Sequence, residues 1–497
     1  MEAVLDKLNE NVIKLKYNDT FIFWNERFNR NKGIKEYELQ APELRTYLKK
    51  EGFRNYQGEA IRVVDNIAKR VNAEDIFKHT LKFVESFEEP RLEAMFIKQG
   101  ESLILKNKAI LISLFECELN PLKDSRTKSY KCFLNGIVVV EANKEFNIIP
   151  YEKAKGFVWE DSIKDRKFKI LEDSEIENAV FGQFLKNVTN NSEHYFSICT
   201  AIGYLIHTYK DQRKPIAVII NDENLIDEGK PEGGTGKGLI VKAISHIVQK
   251  ASYNGKNADF SNNKFAYQNV DENTAILLID DAPRNFDFES LFSVLTDDFP
   301  VEKKHQPVKV IPYESSPKFV ITTNYTIKGS SSSFKRRRFD IFLNNNYHAS
   351  HTPADDFGDE FFHGWDETEW NRFDLYMIAC LRSFLSLGLC NYEDKGLRLK
   401  MLKNETSPDF FELMEDNYTD QNINYSYVSI REKLIEIYGE KYYFLKRDNK
   451  IVVEWVEKYA DYKGLNISKS RNGNGATFLF PGSNKNPDDN VLSGIDY

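Results

Sequence analysis

Three short apolar runs, PIAVII (215–220), TAILLI (274–279) and KFVITT (318–323), constrain the fold of this chain more than any other feature. Each has the length of a strand, and sequence of helical or loop character separates one from the next. A run that stays apolar at consecutive positions belongs to a strand buried on both faces, the situation of inner strands in a parallel sheet covered by helices. The middle of the chain, 214–345, therefore reads as an α/β domain. Ligands of such sheets sit beyond the carboxyl ends of the strands, so the residues that follow each run are the ones to inspect.

After the first run comes PEGGTGKGLI (231–240), a variant of the phosphate-loop pattern G-x-x-x-x-G-K-[ST]. Pro231 replaces the first glycine, and Gly238 stands where a metal-binding hydroxyl is expected. Gly233, Gly234 and Gly236 supply backbone N–H groups free to converge on an anion, Thr235 lies among them, and Lys237 supplies the cation. The sequence GLIVKAISHIVQK continues as an amphipathic helix whose N-terminus adds partial positive charge. The hydroxyl missing at Gly238 is expected from Thr235 or from water. The second run ends in Asp280 and Asp281, 43 and 44 residues beyond Lys237. Asp280 is the candidate for holding Mg²⁺, and Asp281 for orienting or deprotonating an attacking water. The third run ends at Asn324, whose carboxamide suits a water and a γ-phosphate. SFKRRRFDIF then groups Lys335, Arg336, Arg337 and Arg338 ahead of another strand. Singly these have ordinary readings: a glycine turn, a solvated acidic turn, a basic surface patch. Their order within about a hundred residues favours one nucleotide site, since consistent local signals reinforce each other.

At 497 residues the chain is too long for one core. The expected organisation is an N-terminal accessory domain (1–125) of short helices such as ELRTYLKKEGF and AIRVVDNIAKRV, and a helical domain (126–213), with a β pattern over 131–151, preceding the α/β core. A helical region (346–425), a winged-helix-like module (426–483) and a flexible tail (484–497) follow it. With 41% hydrophobic and 29% charged residues the composition is that of a folded protein. The opening MEAVLDKLNENV lacks the form of a secretory signal, and YFSICTAIGYLI (195–206) is too short to cross a bilayer. Cys117, Cys132, Cys199, Cys380 and Cys390 form no C-x-x-C pair, which argues against a zinc finger and for a reducing compartment. A net charge of −8 confines any nucleic-acid surface to a local channel. Phe357, Phe361, Phe362, Trp365 and Trp370 are expected to pack rather than to stack on bases. Asp355, Asp356, Asp359 and Glu360 are expected to form a solvated face.

Taken together, the loop, the acidic strand, the asparagine strand and the arginine cluster resemble the superfamily 3 helicases of the AAA+ class, in particular the helicase part of poxvirus-type and phage or mobile-element primase-helicases. Likeness extends over about 130–390. The resemblance implies a P-loop AAA+ core that binds ATP with Mg²⁺ at the interfaces of a ring, expected to be a homohexamer. It also implies 3′-to-5′ unwinding of single-stranded or forked DNA during replication of a phage, virus or mobile element, in the cytoplasm of a host bacterium, alongside a separate primase or polymerase. Between the acidic and asparagine strands that family carries a DNA-contacting hairpin, here VEKKHQPVKVIPYESSPK, with Lys303, Lys304, His305 and Lys309 as candidates. Arg337 and Arg338 are the candidates for a finger that reaches a neighbouring subunit's nucleotide. Lys446, Lys463, Lys469 and Arg471 of the terminal module are candidate duplex contacts. The alternative is a DNA-binding replication initiator or remodeller with weak or no ATPase activity, for which Gly238 is the main support.

Overall fold

The computed structural model describes residues 21–107, 109–223, 234–257, 265–304, 307–325, 327, 331–358, 361–447, 449–472 and 475–481. Its centre is a five-stranded sheet built from β1 (Ala217–Asp222), β2 (Lys250–Asn254), β3 (Ile276–Ala282), β4 (Lys318–Thr323) and β5 (Arg338–Leu343). All neighbours are parallel, in the order β2-β3-β4-β1-β5. The three apolar runs are the three inner strands. Every residue of β1 and of β4 is buried, as strands covered on both faces require.

One face of the sheet is covered by α1 (Ser192–Ile206), α2 (Lys237–Ser245) and α3 (Glu367–Leu387). Asn191 caps α1 by accepting from the His194 N–H at 2.9 Å, and Asp366 caps α3 from the Glu369 N–H at 2.8 Å. Helices α1 and α3 touch closely at Gly203, where an added Cβ would lie 2.2 Å from the Cys380 carbonyl oxygen. Only glycine permits that crossing. The other face holds a second core that includes Ile219, Leu277, Phe319 and Phe334. Phe361 and Phe362 are buried, and Trp365 and Trp370 pack against the first core, so these aromatics are packing residues. They do not share one helix: the chain forms a short helix, Pro353–Phe357, before α3 begins at Glu367. Asp355 and Asp356 are exposed, while Asp359 and Glu360 lie outside the described residues.

The N-terminal part departs from the expected helical character. AIRVVDNIAKRV is a hairpin of Glu59–Val64 and Ile67–Arg70, not a helix. Asp65 and Asn66 take φ of 51° and 61°, the left-handed pair of a two-residue hairpin turn, and the β-branched residues beside them favour strands. ELRTYLKKEGF does begin in a helix, Ala41–Lys50. Strand Val158–Trp159 pairs in parallel with Ile67–Arg70, so the first and second expected domains share a sheet. Residues 126–213 also hold a three-stranded sheet, Lys128–Phe133, Gly136–Glu141 and Asn147–Ile149, beside their helices. Towards the C-terminus, helices Tyr427–Tyr438 and Asn449–Lys463 precede a hairpin, Ser468–Asn472 with Gly475–Leu479, around a core of its own. The tail from 484 lies outside the described residues. Among the described residues no helix is long and apolar enough to cross a membrane.

Candidate functional site

Strands β1, β3 and β4 end side by side. Ile220 stands opposite Thr322, and Ile279 opposite Ile321, so the residues beyond these pairs collect at one edge. The glycine loop returns to this edge from β1. Gly234 and Gly236 have φ of 112° and 101°, left-handed values that a side chain resists. A Cβ on Gly236 would also fall 2.5 Å from the Phe184 ring. Gly236 caps α2, whose first residue is Lys237. Gly233 and Pro231 lie outside the described residues.

The Lys237 ammonium donates to Asn324 Oδ1 at 2.6 Å and to Asp222 Oδ2, and it lies 3.4 Å from Thr235 Oγ1. The Thr235 hydroxyl donates to Asp222 Oδ1 at 2.5 Å. Asp222, the last residue of β1, thus takes both loop side chains while its own is only 8% exposed. Sequence reasoning missed it. A polar residue after an apolar run reads as an exit into solvent, and only the returning loop reveals what it holds.

Asp280 and Asp281 sit where the pairing of β3 with β4 is interrupted between Ile279 and Ala282. Asp281 has φ of 56°, a left-handed value, and the two carboxylates take different partners. Thr322 of β4 fixes both: its hydroxyl donates to Asp280 Oδ1 at 2.6 Å and accepts from the Asp281 N–H at 2.9 Å. Asp281 Oδ2 pairs with Lys256, whose pKa that bond raises. The glycine loop, both aspartates, Asn324 and Pro353 line a cleft of about 530 Å³, and a neighbouring pocket of about 320 Å³ shares the two aspartates and is also lined by Lys256.

Thr235, Gly236, Lys237, Asp280, Asp281 and Asn324 are therefore brought together. Gly234 and Gly238 line the same cleft, and the lysine, histidine and arginine candidates after β3 are placed as follows. Lys303 and Lys304 are on the loop of a hairpin, Phe299–Val301 with Lys309–Ile311, between β3 and β4. Lys304 is exposed and Lys303 half-buried, while His305 lies outside the described residues. Lys309 is on the returning strand, 3.3 Å from Glu272. Arg338 opens β5 and grips Asp340 through two bonds of 2.7 and 2.6 Å. Arg337 precedes the strand, lies over the Phe292 ring at 4.5 Å and donates to Ser333 O at 3.0 Å. Its Nε is buried and has no partner among the described residues. Strand alternation would put Arg336 and Arg338 on one face and Arg337 on the other, but Arg336 and Arg337 precede β5, and Arg336 is exposed. In the terminal module Lys463 pairs with Glu415 at 2.7 Å, Lys469 pairs with Glu457, and Lys446 and Arg471 are exposed.

The cleft fits a nucleotide phosphate chain. It offers a glycine cradle in left-handed geometry, the start of a helix, and an ammonium. Among the described residues no group of three or more His, Cys, Asp or Glu could hold a metal ion. Mg²⁺ is commonly bound through one or two carboxylates, waters and phosphates, and Asp280 and Asp281 are the carboxylates of this cleft that such an ion could meet. A Cβ at Gly238 would meet nothing within 4 Å, so the absent hydroxyl is not excluded by crowding.

A family of unknown function, DUF5906, matches residues 230–338, from the glycine loop to the start of β5. No curated protein matches the chain. Among solved structures, the apo A form of the NrS-1 C-terminal region is 13% identical over 88% of this chain and 99% of that chain, with a TM-score of 0.39. A second A-form apo structure of that region gives 13% identity, the same coverage of both chains and a TM-score of 0.38. JCV helicase, with a thiazolopyridine-containing acetamide bound, is 13% identical over 50% of this chain and 65% of that chain, with a TM-score of 0.26. Similarity this distant carries no activity from those proteins to this one.

Proposed function

We propose that this chain is an ATP-driven DNA helicase working as a ring, with Lys237, Asp280, Asp281 and Asn324 as its hydrolytic residues. The observation that carries the reading is the convergence of Lys237, Asn324 and the aspartate pair at the carboxyl edge of a parallel sheet. Lys237 binds the outer phosphates and neutralises charge that spreads over their oxygens during transfer. Asp280, held by Thr322, contributes to the Mg²⁺ site, and Mg²⁺ when bound supplies further neutralisation of the phosphates. Asp281 orients the attacking water and accepts its proton once Lys256 releases it. Asn324, one hydrogen bond from Lys237, senses the γ-phosphate. Arg337 is the better candidate for a finger between subunits, since using Arg338 would first cost its two bonds to Asp340. The hexameric ring, the 3′-to-5′ polarity and the separate primase or polymerase partner are part of this proposal through the resemblance to superfamily 3 helicases.

The test is turnover with and without single-stranded DNA, followed by strand separation on a forked duplex. ATP hydrolysis that DNA does not stimulate, with no separation, would favour the initiator or remodeller instead. That second reading draws on Gly238, which gives a metal ion no oxygen.

Two expected results follow from the site's periphery. Lys304→Ala should weaken single-stranded DNA binding about three- to tenfold, whatever the sequence, and lower its salt dependence by about one counterion. A salt titration by fluorescence anisotropy reads both, and a loss confined to one DNA sequence would rule out a phosphate contact. Gly238→Ser should fold normally, because the side chain enters open space. Its hydroxyl should lower the Mg²⁺ concentration for half-maximal hydrolysis by about fivefold, equivalent to roughly 1 kcal/mol for one added bond. An unchanged Mg²⁺ titration would mean that the metal does not approach this helix.

A further inference from the structure

The phosphate-binding cation is already paired. Asp222 accepts from Lys237 through one carboxylate oxygen and from Thr235 through the other, the latter at 2.5 Å. Its side chain is 8% exposed and that of Lys237 is 14% exposed, so water screens the pair poorly. Residue 222 ends β1 opposite Leu343 of β5 and cannot move away without disturbing the sheet. Without nucleotide the loop is thus neutral and its hydroxyl points back to the strand.

A phosphate chain entering the cleft must draw Lys237 and Thr235 to itself. That leaves the Asp222 carboxylate almost buried within a few bonds of several negative oxygens, an arrangement whose cost is high unless a cation or a proton joins it. The phosphate-loop pattern normally places a hydroxyl for the metal one residue after the lysine, and here that residue is Gly238. Asp222 provides what Gly238 lacks, an oxygen next to the lysine, of the hard anionic type that Mg²⁺ takes. Asp280, oriented by Thr322, can meet the same cation from β3, whereas Asp281 is paired with Lys256.

We propose that Asp222 makes nucleotide binding conditional on a divalent cation: it holds Lys237 and Thr235 while the cleft is empty and faces the cation once the phosphates take them over. This rests on the nucleotide reading of the cleft. Asp222 is then a positioning residue for the loop and a contributor to the metal site, in place of the missing hydroxyl.

The experiment is equilibrium binding of ADP and of a non-hydrolysable ATP analogue by calorimetry, in excess EDTA and in saturating Mg²⁺, for the wild type and Asp222→Asn. The wild type should gain about tenfold or more from Mg²⁺, a factor that corresponds to 1.4 kcal/mol. Asp222→Asn should bind about tenfold more tightly than the wild type in EDTA, because a buried negative charge is gone, and should gain less than about threefold from Mg²⁺. A purely structural role would weaken binding equally in both buffers, and that result overturns the inference. So does a Mg²⁺ gain in the variant as large as in the wild type. Should Asp222→Asn lose its cooperative melting transition, the wild type decides alone: equal affinity in EDTA and Mg²⁺ overturns the proposal. If the wild type binds neither nucleotide in Mg²⁺, the nucleotide reading fails and takes this inference with it.

Discussion

Lys237→Ala should abolish ATP binding at ordinary concentrations and reduce any residual hydrolysis by about 10²–10³, the usual loss when one preorganised donor is removed from developing charge. Among the described residues the ammonium is the one loop side chain that contacts both the end of β1 and the end of β4, through Asp222 and Asn324. Its removal deletes the cation that phosphates need and leaves the Asp222 carboxylate, which is 8% exposed, with the Thr235 hydroxyl but no counter-ion. Local stability should therefore fall by about 1–3 kcal/mol, the cost of a nearly buried charge that loses one of its hydrogen-bond donors. These two effects separate. Adding Asp222→Asn to Lys237→Ala removes the stranded charge, so melting temperature should recover while hydrolysis stays lost. Hydrolysis surviving in Lys237→Ala would remove the site from this edge of the sheet.

The parts of this site that were legible in the sequence are those that strong local patterns encode. Uniformly apolar runs forced inner strands, and their order along the chain gave the succession loop, acids and asparagine that the sheet then brings to one edge. What was not legible depends on long-range closure. Asp222 matters because a loop thirteen positions later folds back on it, with Thr235 as its partner. Lys256 meets Asp281 only because β2, a short polar edge strand, aligns Asn254 with Asp280. The hairpin at 59–70 was misread because alternating β-branched residues on either side of two turn residues also satisfy helical spacing. Its turn, Asp65-Asn66, carried the decisive signal. The arginines show the converse limit. Their clustering is plain in the sequence, but Asp340, two residues beyond Arg338, engages that arginine's guanidinium, and no pattern announces it.

Arg166→Ala should be the most destabilising single change away from the cleft, by about 3–5 kcal/mol, the cost of breaking a buried ion pair from one side. Arg166 meets Asp374 of α3 through two bonds of 2.6 Å and donates to the His246 carbonyl at the end of α2 at 3.2 Å. It therefore ties the segment before α1 to α3 and to the helix that begins at Lys237. Asp374 is fully buried, and burial raises its pKa even with the arginine present. Without Arg166 that carboxyl has every reason to stay protonated. A group whose folded pKa lies above its unfolded value binds protons preferentially when folded, so its penalty is absent at low pH and grows as pH rises past the unfolded value. The deficit of Arg166→Ala should accordingly be larger at mildly alkaline than at mildly acidic pH, and thermal unfolding at the two values measures it. Replacing both partners, as Arg166→Met with Asp374→Leu, should recover most of the lost stability, since apolar side chains of similar volume leave no charge to solvate. A double variant as unstable as Arg166→Ala would mean that the bond to His246, and not the ion pair, holds these helices together.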